Sequence, residues 1–251
     1  MIRWVQVDTA VAPGGGELRL MRHGPEFSIM VGRLELMNSR RGRSEEALAR
    51  LACERLGGRR APRLLIGGLG MGFTLRAALA ALGPDARLVV AELVPQVVTW
   101  ARGPLAAVHG DSLDDPRVEL RITDVAVEIA APGDGYDAIL LDVDNGPDGL
   151  TMAANDGLYG AYGLHAAGEA LRPGGVLAIW SAGPDRAFVE RLQWAGFEIR
   201  EVVVRAGGAR HLVWLASRSA DPSRISAPGT PRGSPRSRAR SEPRSGPGRR
   251  R

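Results

Sequence analysis

At 251 residues the chain has room for one or two domains and a sizeable core. Its net charge of +5 is uneven: from Ser219 onward nine arginines stand against Asp221 and Glu242, a net +7, which leaves −2 for residues 1–218. No apolar run approaches the ~20 residues of a membrane helix, the N-terminus has no signal-peptide core, and the single cysteine, Cys53, excludes a disulfide and a Cys-based metal site, so a cytoplasmic protein with neither metal nor membrane partner is expected.

Residues 1–37 read as short strands, Trp4–Val7, Glu17–Met21, Phe27–Val31 and Arg33–Met37, separated by the turn signals Pro13–Gly16 and His23-Gly24-Pro25. His23 reads as a turn residue. Asn38, in the polar run Asn38–Arg41, can reach a ligand from the loop that follows. Ser44 is expected to cap a helix running to about Leu56, with Glu45 and Glu46 in its first turn and Gly57-Gly58 at its end.

The chain then turns on one stretch. An apolar run, Arg63–Ile66, meets the glycine cluster Gly67-Gly68-Leu69-Gly70-Met71-Gly72, and a helix-forming run follows to Leu82. That is a buried strand, a tight turn and a helix whose first N–H groups lack partners. A second apolar run, Leu88–Ala91, ends on Glu92, twenty residues past Gly72, the distance at which an acid at the second strand's tip meets ribose hydroxyls. Strand, glycines, helix, strand and acid in that order are far more specific than a glycine pattern alone.

A helix over Pro95–Arg102 and a polar loop over Gly110–Pro116 lead to a third strand, Val118–Ile122, which stops at Thr123-Asp124. The fourth, Tyr136–Leu141, ends at Asp142. A helix spans about Leu158–Leu171, closed by Arg172-Pro173-Gly174-Gly175, before a strand at Val176–Trp180 and a helix at Asp185–Ala195. Phe197–Val204 and His211–Ala216, joined at Gly207-Gly208, form an antiparallel pair. The alternation predicts an α/β fold: a doubly wound, mostly parallel Rossmann-like sheet with a C-terminal antiparallel strand pair, preceded by a small N-terminal β unit. Residues 219–251, with one aliphatic side chain and no aromatic one, cannot offset their chain entropy and read as a disordered tail open to non-specific polyanion binding.

In such sheets ligands bind beyond the carboxyl ends of the strands, where Gly68, Gly70, Gly72, Glu92, Asp124 and Asp142 all fall. Glu92 can accept hydrogen bonds from a ribose diol, and Asp124 with the backbone of Val125 can address an adenine edge. Neither role needs a phosphate, and the chain has no lysine and no P-loop. A cationic, phosphate-free adenosyl sulfonium suits this acidic rim.

Over about residues 5–216 the sequence resembles the spermidine/spermine synthase family of class I adenosylmethionine-dependent transferases. The likeness lies in the N-terminal strand unit, the Leu-Ile-Gly-Gly turn, Glu92, Thr123-Asp124 and Tyr136–Asp142. It implies a cofactor site of Gly67, Gly68, Gly70, Gly72, Glu92, Asp124, Val125 and Asp142. It further implies decarboxylated S-adenosylmethionine, or S-adenosylmethionine itself, as cofactor, a small-molecule amine or other acceptor, and a homodimer formed through the N-terminal unit. Asp142 takes the place of the catalytic aspartate that orients and deprotonates the amine, and Asp144, Asn145 and Asn38 fall on the acceptor side. The domains then read as residues 1–43, 44–218 (the transferase-like domain) and the tail 219–251.

The sequence also departs from that family. Its glycine turn holds no acid to bind the cofactor's terminal amine. Asn145 stands where a second acid grips polyamines, and Ser44-Glu45-Glu46-Ala47 replaces a Tyr-His-Glu run. Ile66 stands where ordinary methyltransferases favour an acid. Two alternatives remain open: a methyltransferase acting on a small molecule, and a non-catalytic nucleoside-binding relative.

Overall fold

The computed structural model describes residues 2–13, 16–143 and 155–218. The tail 219–251 and the two acceptor-side residues Asp144 and Asn145 lie outside the described residues.

Four strands open the chain, β1 (Val5–Val11), β2 (Glu17–His23), β3 (Glu26–Val31) and β4 (Leu34–Asn38), paired antiparallel in sequence order. Period-two alternation turns Leu18, Leu20, Phe27 and Ile29 inward, where they join the core of the main domain. Asp8 fastens this sheet to the rest: the Trp100 indole N–H and the Gln96 amide both donate to its Oδ2 at 2.7 Å. Helix α1 (Arg43–Arg55) follows, capped differently from the expectation. Gly42 is the N-cap and makes no side-chain bond, whereas Ser44 lies inside the helix and donates to Glu45 Oε2 at 2.6 Å. The cap lies two residues before the expected one, and Gly42 packs against the Phe73 ring, which leaves no room for a β-carbon there.

The main domain runs through β5 (Arg63–Gly67), α2 (Phe73–Ala81), β6 (Arg87–Glu92), α3 (Pro95–Arg102), α4 (Ala106–His109), β7 (Val118–Ile122), α5 (Val125–Ala130), β8 (Tyr136–Leu141), α6 (Asn155–Leu158), α7 (Ala161–Ala170), β9 (Leu171–Ser181), α8 (Arg186–Trp194), β10 (Phe197–Ala206) and β11 (Ala209–Arg218). Its sheet has the order β10-β11-β9-β8-β5-β6-β7, parallel from β9 to β7, with β10 and β11 antiparallel at one edge. One face of this sheet buries α1, α2 and α3 through Leu48, Leu75 and Trp100. The other buries α5, α7 and α8 through Ile129, Leu164 and Phe188. Helices on both faces explain why β8 is buried along its whole length and reads as a continuous apolar run.

Two expectations need correction. The stretch 110–116 is not simply a loop: Gly110–Leu113 makes a 3₁₀ turn directly after α4, with Ser112 and Leu113 buried. Nor does Arg172–Gly175 merely close a helix. Leu171 already pairs with Tyr136, and the register then jumps to Ala138 with Val176, so the four residues bulge out of β9. Gly174 takes φ +71, and Arg172 is tied down by Asp137 Oδ2 at 2.8 Å. Asp137 also accepts from the Arg59 guanidinium and, at 2.8 Å, from the Arg63 amide.

Starting at β5, the chain adds β6 and β7 on one side and then returns to place β8 on the other. Neighbouring connections therefore part between β5 and β8, and a crevice opens at the carboxyl ends of these two strands. Gly68 and Asp142 are the residues that flank it.

Candidate active site

A cavity occupies that crevice beneath the N-terminal sheet. Gly68, Gly70, Glu92, Asp124, Val125 and Asp142 line it from the main domain, and Leu18, Ile29, Val31, Leu36 and Met37 line it from the N-terminal sheet. The predicted rim residues thus converge, with two exceptions. Gly67 faces Val125 and Leu141, whose side chains would lie 3.0 and 3.3 Å from a β-carbon on it. Gly72 abuts the ring of His109, 2.5 Å from such a carbon. Neither lines the cavity, so both serve the packing of the turn. Gly68, at φ +89, and Gly70, at φ +50, bring bare backbone to the cavity wall.

Glu92 has a role the sequence did not reveal. Its Oε2 accepts the Leu69 amide at 2.9 Å and its Oε1 accepts the Val94 amide at 2.8 Å, so the carboxylate pins the glycine turn to the tip of β6. Burial pushes its pKa up, while these backbone amides pull the other way. The Gly70 and Leu93 amides act on it in the same sense. Asp124 is the N-cap of α5: its Oδ1 accepts the Ala126 amide at 2.8 Å. Its other oxygen is left for the cavity, beside Val125.

Asp142 follows β8 directly, and its amide donates to the Gly67 carbonyl at 3.2 Å. The Thr74 hydroxyl, from the first turn of α2, donates to its Oδ2 at 2.6 Å. Burial, then the neighbouring Glu45 charge, raise the pKa to about 7, partly offset by the Thr74 bond. A carboxyl poised near neutrality is suited to taking a proton and giving it back. Asn38 sits elsewhere. It is buried in the N-terminal sheet, where its amide donates to Glu35 Oε1 at 2.7 Å and its Oδ1 accepts the Arg40 amide at 3.0 Å. Among the described residues no group of three or more His, Cys, Asp or Glu could hold a metal ion.

No protein-family model matches the chain. The sequence is similar to the polyamine aminopropyltransferase of Mycobacterium tuberculosis, 34% identical over 124 residues, which make up 48% of this chain and 23% of that protein. The polyamine aminopropyltransferase of Nitrosomonas europaea is 32% identical over 149 residues, 56% of this chain and 44% of that one. A crystal structure of a spermidine synthase in complex with the transition-state analogue AdoDATO shares the fold, with a TM-score of 0.67 over 88% of this chain and 75% of the other at 18% identity. The chain thus shares its fold with spermidine synthases and, over about half of its length, is similar in sequence to polyamine aminopropyltransferases. It spans less than half the length of the curated relatives it matches. The sheet order and the N-terminal antiparallel sheet agree with the expected architecture.

Two participants went unseen in the sequence. Thr74 gives no local signal beyond its place two residues after Gly72, and only the approach of α2 to β8 brings it onto Asp142. The wall from Leu18 to Met37 looks like ordinary strand alternation; its inner face becomes a cavity wall only because the small sheet folds over the rim.

Proposed function

We propose that the chain is a transferase of the aminopropyltransferase type, which moves an aminopropyl group from decarboxylated adenosylmethionine to an amine. The observation that carries this reading is Asp142: a carboxyl with a pKa of about 7, held by Thr74, on the wall of the cavity that Glu92 and Asp124 share. The sulfonium donor supplies an electrophilic carbon and a neutral thioether leaving group. Asp142 holds the acceptor's ammonium and takes its proton, leaving a nitrogen lone pair to form the new C–N bond as the C–S pair departs on sulfur. Glu92 is suited to the ribose and Asp124 with Val125 to the adenine. The apolar N-terminal sheet keeps water from the reacting centre.

The charge of the lining supports the decarboxylated donor. The titratable side chains that line the cavity are Glu92, Asp124 and Asp142, with no arginine or histidine among the lining residues described. The α-carboxylate of intact adenosylmethionine would lie among these acids without a cationic partner. Methyl transfer from the intact cofactor is the second reading, favoured by Asn145 in the place of an acid that would grip a polyamine. We further propose that the N-terminal sheet dimerises through its exposed apolar residues, Ile2, Val5, Val7 and Val11. The Arg-rich run 219–251, at net +7, suits salt-sensitive adhesion to polyanions.

The test incubates the full chain with decarboxylated or intact adenosylmethionine and a panel of mono-, di- and triamines, and reads acceptor mass. Gain of an aminopropyl group, abolished in Asp142→Asn, is expected. Gain of a methyl group would instead establish the second reading, and a thioether that binds without any turnover would overturn both.

A further inference from the structure

Period two along β1 puts Asp8 on the same face as the buried Ala10, and farther along the chain Ala12 lines the cavity. Asp8 Oδ1 accepts the Thr9 amide at 2.8 Å, which orients the carboxylate. Its Oδ2 accepts the Gln96 amide and the Trp100 indole N–H, each at 2.7 Å, from residues one turn apart on α3. The Trp100 bond, then the Thr9 and Gln96 bonds, hold its pKa below the usual carboxylate value, so it is charged at neutral pH.

Among the described residues these two are the hydrogen bonds that cross from β1–β4 to the main domain. Elsewhere the sheet meets that domain through apolar side chains such as Leu20 and Ile29. Apolar burial is non-directional and lets packed surfaces slide, whereas two bonds to one carboxylate fix their relative position. The two segments so joined also carry parts of the cavity wall. Ala12, Gly16 and Leu18 line it from the β1–β2 segment, and Val94 and Val97 from the start of α3. The cavity measures about 140 Å³, against about 300–1,000 Å³ for small-molecule sites in general. A nucleoside thioether enters a space of that size only if its walls part.

We propose that Asp8 is a positioning residue, a latch between the N-terminal sheet and α3 that governs entry and release of a nucleoside thioether. This rests on the nucleoside part of the transfer reading and adds the group that opens and closes the site. Latched, the apolar sheet covers the bound ligand and keeps out water. Unlatched, the sheet swings away from α3 and the ligand passes.

The test uses the full chain with methylthioadenosine as the probe, in stopped-flow tryptophan fluorescence. Asp8→Ala removes both bonds, and Trp100→Phe and Gln96→Met remove one donor each. In Asp8→Ala both association and dissociation are expected to be about tenfold faster or more, the worth of a hydrogen bond to a carboxylate. Association gains because the open state is more populated, and dissociation because the closed complex is held less firmly. The two single-donor variants should fall between Asp8→Ala and the wild type. A bond that serves stability alone would lower the melting temperature and leave both rates unchanged, and that result overturns the inference. Solvent exchange of the Trp100 indole proton, assigned with Trp100→Phe, reads the latch without ligand. If methylthioadenosine does not bind the wild type, the nucleoside reading fails, and this proton still decides the latch. It should exchange about tenfold faster in Gln96→Met; exchange only through global unfolding in both proteins would show that the contact never opens. Should Asp8→Ala not fold, Gln96→Met, which keeps the Trp100 bond, takes the same measurements.

Discussion

Gly68 is packed so tightly against Asp142 that a β-carbon on it would sit 2.7 Å from the Asp142 carbonyl oxygen. The strand-to-helix turn and the backbone of the proposed base are therefore in close contact, and the Asp142 amide also donates a hydrogen bond to the Gly67 carbonyl. Gly68 also has φ +89, a conformation that a side chain resists. Gly68→Ala should leave a folded sheet but displace Asp142, weaken adenosyl-thioether binding by about tenfold or more, and cut turnover further, since misplacement by about 1 Å can cost 10²-fold. Calorimetry and single-turnover rates check this; wild-type values for both would mean that the turn and the loop are not coupled.

Glu92 should matter twice over. It accepts two backbone amides of the site and is placed to accept ribose hydroxyls. Hydrogen bonds to a charged group are worth about 1.5–3 kcal/mol each, so Glu92→Ala is expected to lose most affinity for methylthioadenosine and to loosen the glycine turn. Glu92→Gln keeps the shape with a weaker acceptor and should fall between the two. Unchanged affinity in Glu92→Ala, by calorimetry, would remove Glu92 from the nucleoside site.

The architecture was largely legible in the sequence because it follows from local periodicity. The wholly apolar run Tyr136–Leu141 could only be a strand covered on both faces, and the glycines after Ile66 could only end one. The acids at strand ends followed from the same reading, since a parallel sheet collects its strand tips on one edge. What stayed hidden depends on packing between distant segments. Thr74 and Glu45 reach Asp142 only when α1 and α2 are laid side by side over β5 and β8, which no spacing within either helix encodes. Ser44 misled because a serine ahead of two glutamates is an ordinary capping signal. Here the helix starts at Gly42, packed against Phe73, and the Ser44 hydroxyl turns to Glu45 instead.

At the opposite end of the sheet, Asp137 should govern stability and leave chemistry alone. Its side chain, 5% exposed, gathers the Arg59 and Arg172 guanidinium groups and the Arg63 amide. Burial alone would raise its pKa, but the Arg63 amide and the two guanidinium groups outweigh burial and hold it below the usual carboxylate value. Asp137→Asn is expected to cost about 2–3 kcal/mol, because bonds to a charged acceptor are lost while both arginines can still reach water. Urea denaturation measures the loss, and kcat per folded molecule should be unchanged. A loss near zero would show that the bulge in β9 holds without this anchor.

The last prediction concerns pH and follows from the raised pKa of Asp142. In the unfolded chain an aspartate titrates near its ordinary value of about 4; in the fold Asp142 does so at about 7. Between these values the folded state holds a proton that the unfolded state has lost, so this group's contribution to stability falls as pH rises from about 4 to about 7 and is flat beyond. The physical cause is a carboxyl closely surrounded by protein that must become charged beside Glu45. Asp142→Asn cannot charge. Its melting temperature should therefore exceed that of the wild type at about pH 8, while at about pH 4.5 the gap should close. Propylamine in excess should raise the wild-type melting temperature at the higher pH, where Asp142 is ionised, and leave Asp142→Asn nearly unmoved. Scanning calorimetry across that range reads all three effects. Parallel pH profiles for the two proteins would mean that Asp142 titrates normally, and with that the argument for a base poised near neutrality would fall.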